Sequence, residues 1–259
     1  MSHGALAGCG VLITRPEHQS HELAAAIDAA QGNVYRFPAM DIVGRDVDDV
    51  RQEFTSLETP DIVLFVSCNA VTHGFAIAGD TGAKIGAVGP ATRAAIEAMG
   101  ATVEITPQGG FDSEHLLQHA ALQDLAGKKV CIVRGQSGRE MLADVLQDRG
   151  GSVDYLRVYR RAPHEPKPAE IEGLEADLRR GNVHFVIVMS VETLAHLMRI
   201  LPPQAMGLLR QSTLVAPSTR VLQTAAELIP GIPTLLAPGP QAPAMVETLI
   251  RQWQTGRKS

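Results

Sequence analysis

Aromatic side chains are scarce in this chain: one tryptophan, three tyrosines and six phenylalanines among 259 residues. Together with a formal net charge of -5, that scarcity argues against a nucleic-acid binder, which needs a basic face and stacking platforms. Cysteine is equally sparse. Cys9, Cys68 and Cys131 are odd in number and widely spaced, so neither a disulfide framework nor a paired-thiol zinc site is legible, and buried, reduced thiols are expected. No apolar run approaches the roughly 20 residues of a membrane helix, and the N-terminus lacks a basic start followed by a long apolar stretch. A cytoplasmic protein is expected. His18 and His21 come nearest to a metal motif, but they fall on an amphipathic helical pattern and read as solvated surface. The phosphate-cradling glycine loops and the nucleophile elbow are also missing, so redox and phosphoryl-transfer chemistry are disfavoured and no cofactor or metal is expected.

What is present is a sequence written twice. "GVLITRP" from Gly10, followed by a helical stripe through Leu23, Ile27 and Ala30, has its counterpart in "KKVCIVRG" from Lys128 and the helix pattern after it. "DIVLFVSCNAV" from Asp61 matches "VHFVIVMSVET" from Val183, and "AVGPATRAAIEAMG" from Ala87 matches "LVAPSTRVLQTAAE" from Leu214. Paired positions stay collinear: Arg15 with Arg134, Ser67 with Ser190, Thr92 with Thr219. Buried four-to-eight-residue strands alternating with helices predict an α/β protein of two similar parallel-sheet lobes, each copy being domain-sized. "NVYRFPAMDI" reads as one second strand. Two extended, proline-bearing stretches, residues 36–49 and 157–170, occupy the same point in each copy and read as crossings. Lobe 1 is then residues 1–38 plus 168–259, lobe 2 is residues 48–156, and residues 39–47 and 157–167 are linker strands, with a cleft expected between the lobes.

In open α/β sheets ligands sit beyond the carboxyl ends of the strands, where loops feed helix N-termini. Ser67, Thr92, Ser190, Ser218 and Thr219 stand at or near such helix starts, where a hydroxyl can cap the helix or, with free amides, hold a carboxylate. Arg15, Arg134 and Arg139 add cationic forks at the same edge. Each hydroxyl alone reads first as a plain cap. Their shared placement in both copies favours a duplicated site for an extended polycarboxylate.

The ordered phrases "VLITRPEHQSHELAAAI", "FPAMDI", "DIVLFVSCNAV", "AVGPATRAAIEAMG", "FDSEHLL", "VCIVRGQSGREMLADVLQDRGGSVDYLRVYRR" and "APSTRVLQTAAEL" resemble the uroporphyrinogen-III synthase family over nearly the whole chain. The resemblance implies two α/β lobes joined by a two-stranded ladder, and a cofactor-independent hydro-lyase of tetrapyrrole biosynthesis. Its substrate is hydroxymethylbilane, a linear tetrapyrrole with eight acidic side chains, and its product the cyclised isomer with the last ring inverted. Loss of the terminal hydroxyl gives an azafulvene, and ring closure runs through a spiro intermediate. The family's candidate general acid corresponds to Tyr159 in "LRVYRRAP". Its threonines correspond to Thr92 and Thr219 and its serine loop to Ser67 and Asn69; Gly135 is a further binding candidate, in the loop after Arg134 at the same strand edge. Departures are Ala216 where the upstream copy has Gly89, and the lack of a proline or small pair after Ser190. A phenol with an ordinary pKa of about 10 can donate to a departing hydroxyl at neutral pH. A monomer and hand-over of substrate from hydroxymethylbilane synthase are further expectations. The alternative from another class is a non-catalytic, two-lobed sensor of a small polycarboxylate.

Overall fold

The structure is a computed structural model and describes residues 4–110, 112–137 and 140–256. The chain opens with β1 (Gly10–Ile13), α1 (Glu17–Ala29) and β2 (Asn33–Arg36). After Phe37 and Pro38 it resumes as β3 (Met40–Gly44), α2 (Val47–Ser56), β4 (Ile62–Phe65), α3 (Cys68–Ala78), β5 (Lys84–Ala87) and α4 (Pro90–Ala98). The short α5 (Ser113–Leu116) and a 3-10 turn at Ala120–Leu122 lead to β6 (Lys129–Gly135), α6 (Met141–Asp148) and β7 (Ser152–Pro163). Then follow α7 (Pro168–Arg179), β8 (Phe185–Ile187), α8 (Val191–Ile200) and α9 (Pro203–Leu209). The last elements are β9 (Thr213–Ala216), α10 (Thr219–Leu228), β10 (Thr234–Leu236) and α11 (Ala242–Gly256).

These elements form two compact units, Met1–Asp41 with Ala162–Ser259, and Ile42–Arg161. The first holds a five-stranded sheet in the order β10-β9-β8-β1-β2, with β1 parallel to both β2 and β8. The second holds the order β3-β7-β6-β4-β5, with β4 parallel to β5 and β6. An isolated bridge from Gly86 to Ile105 stands where β10 stands in the first sheet. The front of one copy, β1 and β2, is thus bonded to the back of the other, β8 to β10, and the reverse holds in the second sheet.

The central strands β1, β4 and β8 are apolar without a break because helices cover both faces. In the first unit Leu12, Val186 and Leu214 point into one cluster, with Leu194 and Leu197 of α8. Val11, Ile13, Phe185 and Ile187 point into the other, with Leu23 and Ile27 of α1 and Met245 and Leu249 of α11. In the second unit Val63, Phe65 and Val133 share one cluster with Val71, and Ile62, Leu64 and Ile132 the other with Leu142 and Leu146.

The copies differ where they leave the first two strands. The expected single strand through "NVYRFPAMDI" is in fact two, β2 and β3, in different sheets. Proline lacks a ladder donor, and Pro38 sits at the break. At the matching point of the second copy stands Arg157, and β7 runs unbroken from Ser152 to Pro163. β3 lies beside β7, Arg45 N–H donating to Val158 O at 3.0 Å and His164 N–H to Ala39 O at 3.2 Å, so that the two run antiparallel. Cys9 and Cys131 are buried, and burial pushes both thiols up to about 12. Cys68, expected to be buried, is exposed, because it is the first residue of α3 and lies past the end of its strand.

Candidate active site

In the second unit the candidates gather at the carboxyl edge of the sheet. Ser67 follows β4 and caps α3, its Oγ accepting from Ala70 N–H at 3.1 Å. The same oxygen lies 3.3 Å from Tyr159 Oη. Tyr159 is 5% exposed, and its carbonyl accepts from Gln136 N–H at 2.8 Å. Two features hold the ring. Between Arg134 and Gly135 the β6–β7 register slips, pairing Arg134 with Arg157 but Gly135 with Tyr159, a bulge of the kind that re-aims a side chain. Tyr159 accordingly joins Val158 in one apolar cluster while Tyr155 packs in the other. The ring then lies flat on Gly135, where an added Cβ would stand 2.7 Å from Tyr159 Cζ and 2.8 Å from Cε2. His73 of α3 stands on another side, ring centroids 6.0 Å apart.

Arg134 is inside β6 and 6% exposed, its guanidinium 4.7 Å from the centre of the Tyr155 ring, which Arg157 also faces at 5.2 Å. Its counterpart Arg15 lies just beyond β1, because Pro16 follows it where Gly135 follows Arg134. Asn69 is buried in the first turn of α3. Thr92 is buried as the third residue of α4, whose N-cap is Gly89 in an extended conformation. Arg139 lies outside the described residues.

In the first unit Thr14 Oγ1 donates to Ile187 O at 2.7 Å, tying the end of β1 to the end of β8. Burial lowers the pKa of the neighbouring Arg15 guanidinium, and Glu22 opposes that shift. Ser190 caps α8 through Thr193 N–H at 3.0 Å and shares a 2.8 Å hydrogen bond with Thr193 Oγ1. Ser218 is the N-cap of α10 without a side-chain bond to that helix, and Thr219 is its exposed first residue. Thr92 and Thr219, paired in the sequence, therefore occupy different positions. α4 starts at its proline, Pro90, whereas α10 starts two residues past Pro217.

The residues fall into two groups: Ser67, Asn69, Thr92, Arg134, Gly135 and Tyr159 at one sheet edge, and Arg15, Ser190, Ser218 and Thr219 at the other. A cavity of about 120 Å³ lined by Gly89, Pro90, Arg93, Thr106 and Pro107 opens at the first of these edges. A larger one, about 540 Å³, lies at the opposite, amino end of the same strands, lined by Asp61, Lys84, Asp124 and Lys128 among others, away from the candidate residues. No group of three or more His, Cys, Asp or Glu side chains able to hold a metal occurs among the described residues. His73 went unremarked in the sequence. Its repeat counterpart is His196, and that match was the available signal.

A family model described as uroporphyrinogen-III synthase HemD matches residues 21–247. The chain belongs to the uroporphyrinogen-III synthase family. It is 30% identical over 230 residues to the uroporphyrinogen-III synthase of Salmonella typhimurium, covering 84% of this chain and 91% of that one. With the enzyme of Escherichia coli K12 it shares 28% identity over 199 residues, 74% of this chain and 80% of the relative. The solved uroporphyrinogen-III synthetase of Helicobacter pylori has the same fold, with a TM-score of 0.62 at 14% identity over 94% of this chain and 99% of that one. A mutant uroporphyrinogen III synthase from Thermus thermophilus superposes with a TM-score of 0.54 at 19% identity, covering 95% and 99%. In this member of the uroporphyrinogen-III synthase family the match spans both units and both groups of candidate residues except Arg15.

Proposed function

We propose that this chain cyclises and dehydrates hydroxymethylbilane, inverting its terminal ring to give uroporphyrinogen III, with Tyr159 as general acid. The observation that carries the acid assignment is the fixed phenol: the ring rests on Gly135, and its hydroxyl lies beside Ser67 at the carboxyl edge of the sheet. A positioned acid speeds loss of a hydroxyl typically by 10²–10⁴. The substrate's carboxylates are met by amides and hydroxyls at Asn69, Thr92 and Gly135 in the second unit and at Ser190, Ser218 and Thr219 in the first, with Arg15, Arg134 and Arg139 supplying charge and Ser67 acting beside Tyr159. Such donors are spread over many residues, so the net negative charge of the chain is no obstacle at distances beyond the ~8 Å screening length of physiological salt.

We further propose a cytoplasmic monomer that receives its substrate from hydroxymethylbilane synthase. No described helix is long and apolar enough to cross a membrane. The sensor alternative has no support among the relatives, which carry the name of a synthase. The deciding experiment adds the purified chain to freshly generated hydroxymethylbilane, oxidises the products and resolves the porphyrin isomers. Excess type III isomer over the spontaneous type I product is expected. Type I alone, from folded protein, overturns the assignment.

A further inference from the structure

The capping serines of the two copies do the same work for their helices and differ in what else they touch. Ser190 caps α8 and bonds the hydroxyl of Thr193, three residues on, at 2.8 Å. At that position α3 has Ala70, which has no hydroxyl, and the second partner of Ser67 is Tyr159 Oη at 3.3 Å. The position matching Tyr159 in the first copy holds Met40. Capping therefore explains the serine at both helix starts, but not the phenol brought onto one of them.

We propose that Ser67 is a positioning residue for Tyr159: its hydroxyl donates to the phenol oxygen, leaving the phenol's own proton directed at the substrate and stabilising the phenolate as that proton departs. The proposal rests on Tyr159 being the general acid. A serine hydroxyl has one proton and two lone pairs. Ser67 Oγ already accepts from Ala70 N–H at 3.1 Å, and a hydroxyl that accepts is polarised into a better donor. If Tyr159 donated to Ser67 instead, its proton would be engaged there and that bond would have to break before catalysis. At 3.3 Å the bond between neutral groups is long, and bonds to an oxyanion contract to about 2.5–2.7 Å. It thus strengthens as charge forms, the condition for lowering a barrier rather than only binding.

The step balances without any other reactant. The C–O bond of the substrate's hydroxymethyl group breaks, its electron pair leaves with oxygen, and that oxygen takes the Tyr159 proton and departs as water. Ser67 keeps its own proton throughout. The proton released from the substrate when the ring closes restores the phenol, so the net change is loss of one water.

The test uses the full chain with hydroxymethylbilane and compares Ser67→Gly, Ser67→Thr, Tyr159→Phe and the Ser67→Gly/Tyr159→Phe double variant. Glycine is a tolerable N-cap, so Ser67→Gly removes the hydroxyl while leaving the start of α3 nearly intact. Ser67→Gly is expected to lower kcat about tenfold, as for a lost hydrogen bond to a charged group, with KM nearly unchanged. It should also move the alkaline limb of the kcat profile to higher pH, because a phenolate deprived of its donor forms less readily. Ser67→Thr restores both. On the Tyr159→Phe background Ser67→Gly costs nothing further. The proposal falls if Ser67→Gly is equally harmful on that background, if the alkaline limb stays in place, or if only KM rises. If Tyr159→Phe itself retains full kcat, the general-acid reading falls and this proposal with it. A damaging Tyr159→Phe beside a harmless Ser67→Gly removes the Ser67 role alone.

Discussion

A phenol that hands over a proton must hold its oxygen in one place, and Gly135 is what allows the ring of Tyr159 to lie where it does. A methyl group there would stand under 3 Å from two ring carbons, closer than side chains pack. Gly135→Ala is therefore expected to destabilise the fold by about 1–3 kcal/mol, as overpacking does, and to lower kcat by displacing the phenol, measured by denaturant unfolding and steady-state assay. Unchanged stability and turnover would mean the ring does not need this seat. At this scale the sequence was partly legible. Tyr159 and Ser67 could be named from motif and repeat phase, but their contact could not, since it depends on a register slip between Arg134 and Gly135 that leaves no mark in composition or period. Arg134 could be paired with Arg15, yet one is buried within a strand and the other lies past its end. The residue that decides this is the next one along, glycine in one copy and proline in the other.

Elements were easier to read than their junctions. Uninterrupted apolar strands and the serine caps at Ser67 and Ser190 were evident because burial on both faces and capping are local requirements. The division of one expected strand into β2 and β3 follows from Pro38, whose effect depends on which neighbour strand lacks its donor. One packing joint among elements carries a pH signature. His184, just before β8, accepts Gly10 N–H on Nδ1 at 2.8 Å and packs edge-on against Trp253 of α11, ring centroids 4.6 Å apart. A Cβ on Gly10 would meet Asn182 O at 1.7 Å, so the backbones approach too closely there for any other residue. Burial lowers the His184 pKa from its ordinary 6.5. An imidazole with a depressed folded pKa stays neutral in the folded chain while the unfolded chain takes up a proton. Its contribution is fully present above pH ~6.5 and is lost as pH falls from there through the folded value. Emission of Trp253, the sole tryptophan, is expected to hold steady through pH 6.5 and to be quenched below it, when the adjacent ring becomes cationic. Quenching centred at or above 6.5 would contradict this.

At the scale of the whole molecule, repeat phase made the α/β class and the duplication legible, and the strand order shows the front of each copy bonded to the back of the other. Neither copy completes a sheet by itself. β1 and β2 find their remaining sheet partners only in β8 to β10, while the unit Ile42–Arg161 is contiguous. A fragment of residues 42–161 is expected to melt cooperatively by circular dichroism, and a fragment of residues 1–118, a complete copy of the repeat, is expected not to. A cooperative transition in the latter would show that sequence repeat and folding unit coincide after all. The same arrangement sets a timetable on the ribosome. The middle unit has all its strands once residue 161 has emerged, but β1, tied through Thr14 to a residue 173 positions downstream, has no partner on that side until β8 is made. For the interval in between, an apolar strand with an open edge is held out of any finished sheet, and the nascent N-terminal segment is where a chaperone would find its binding site.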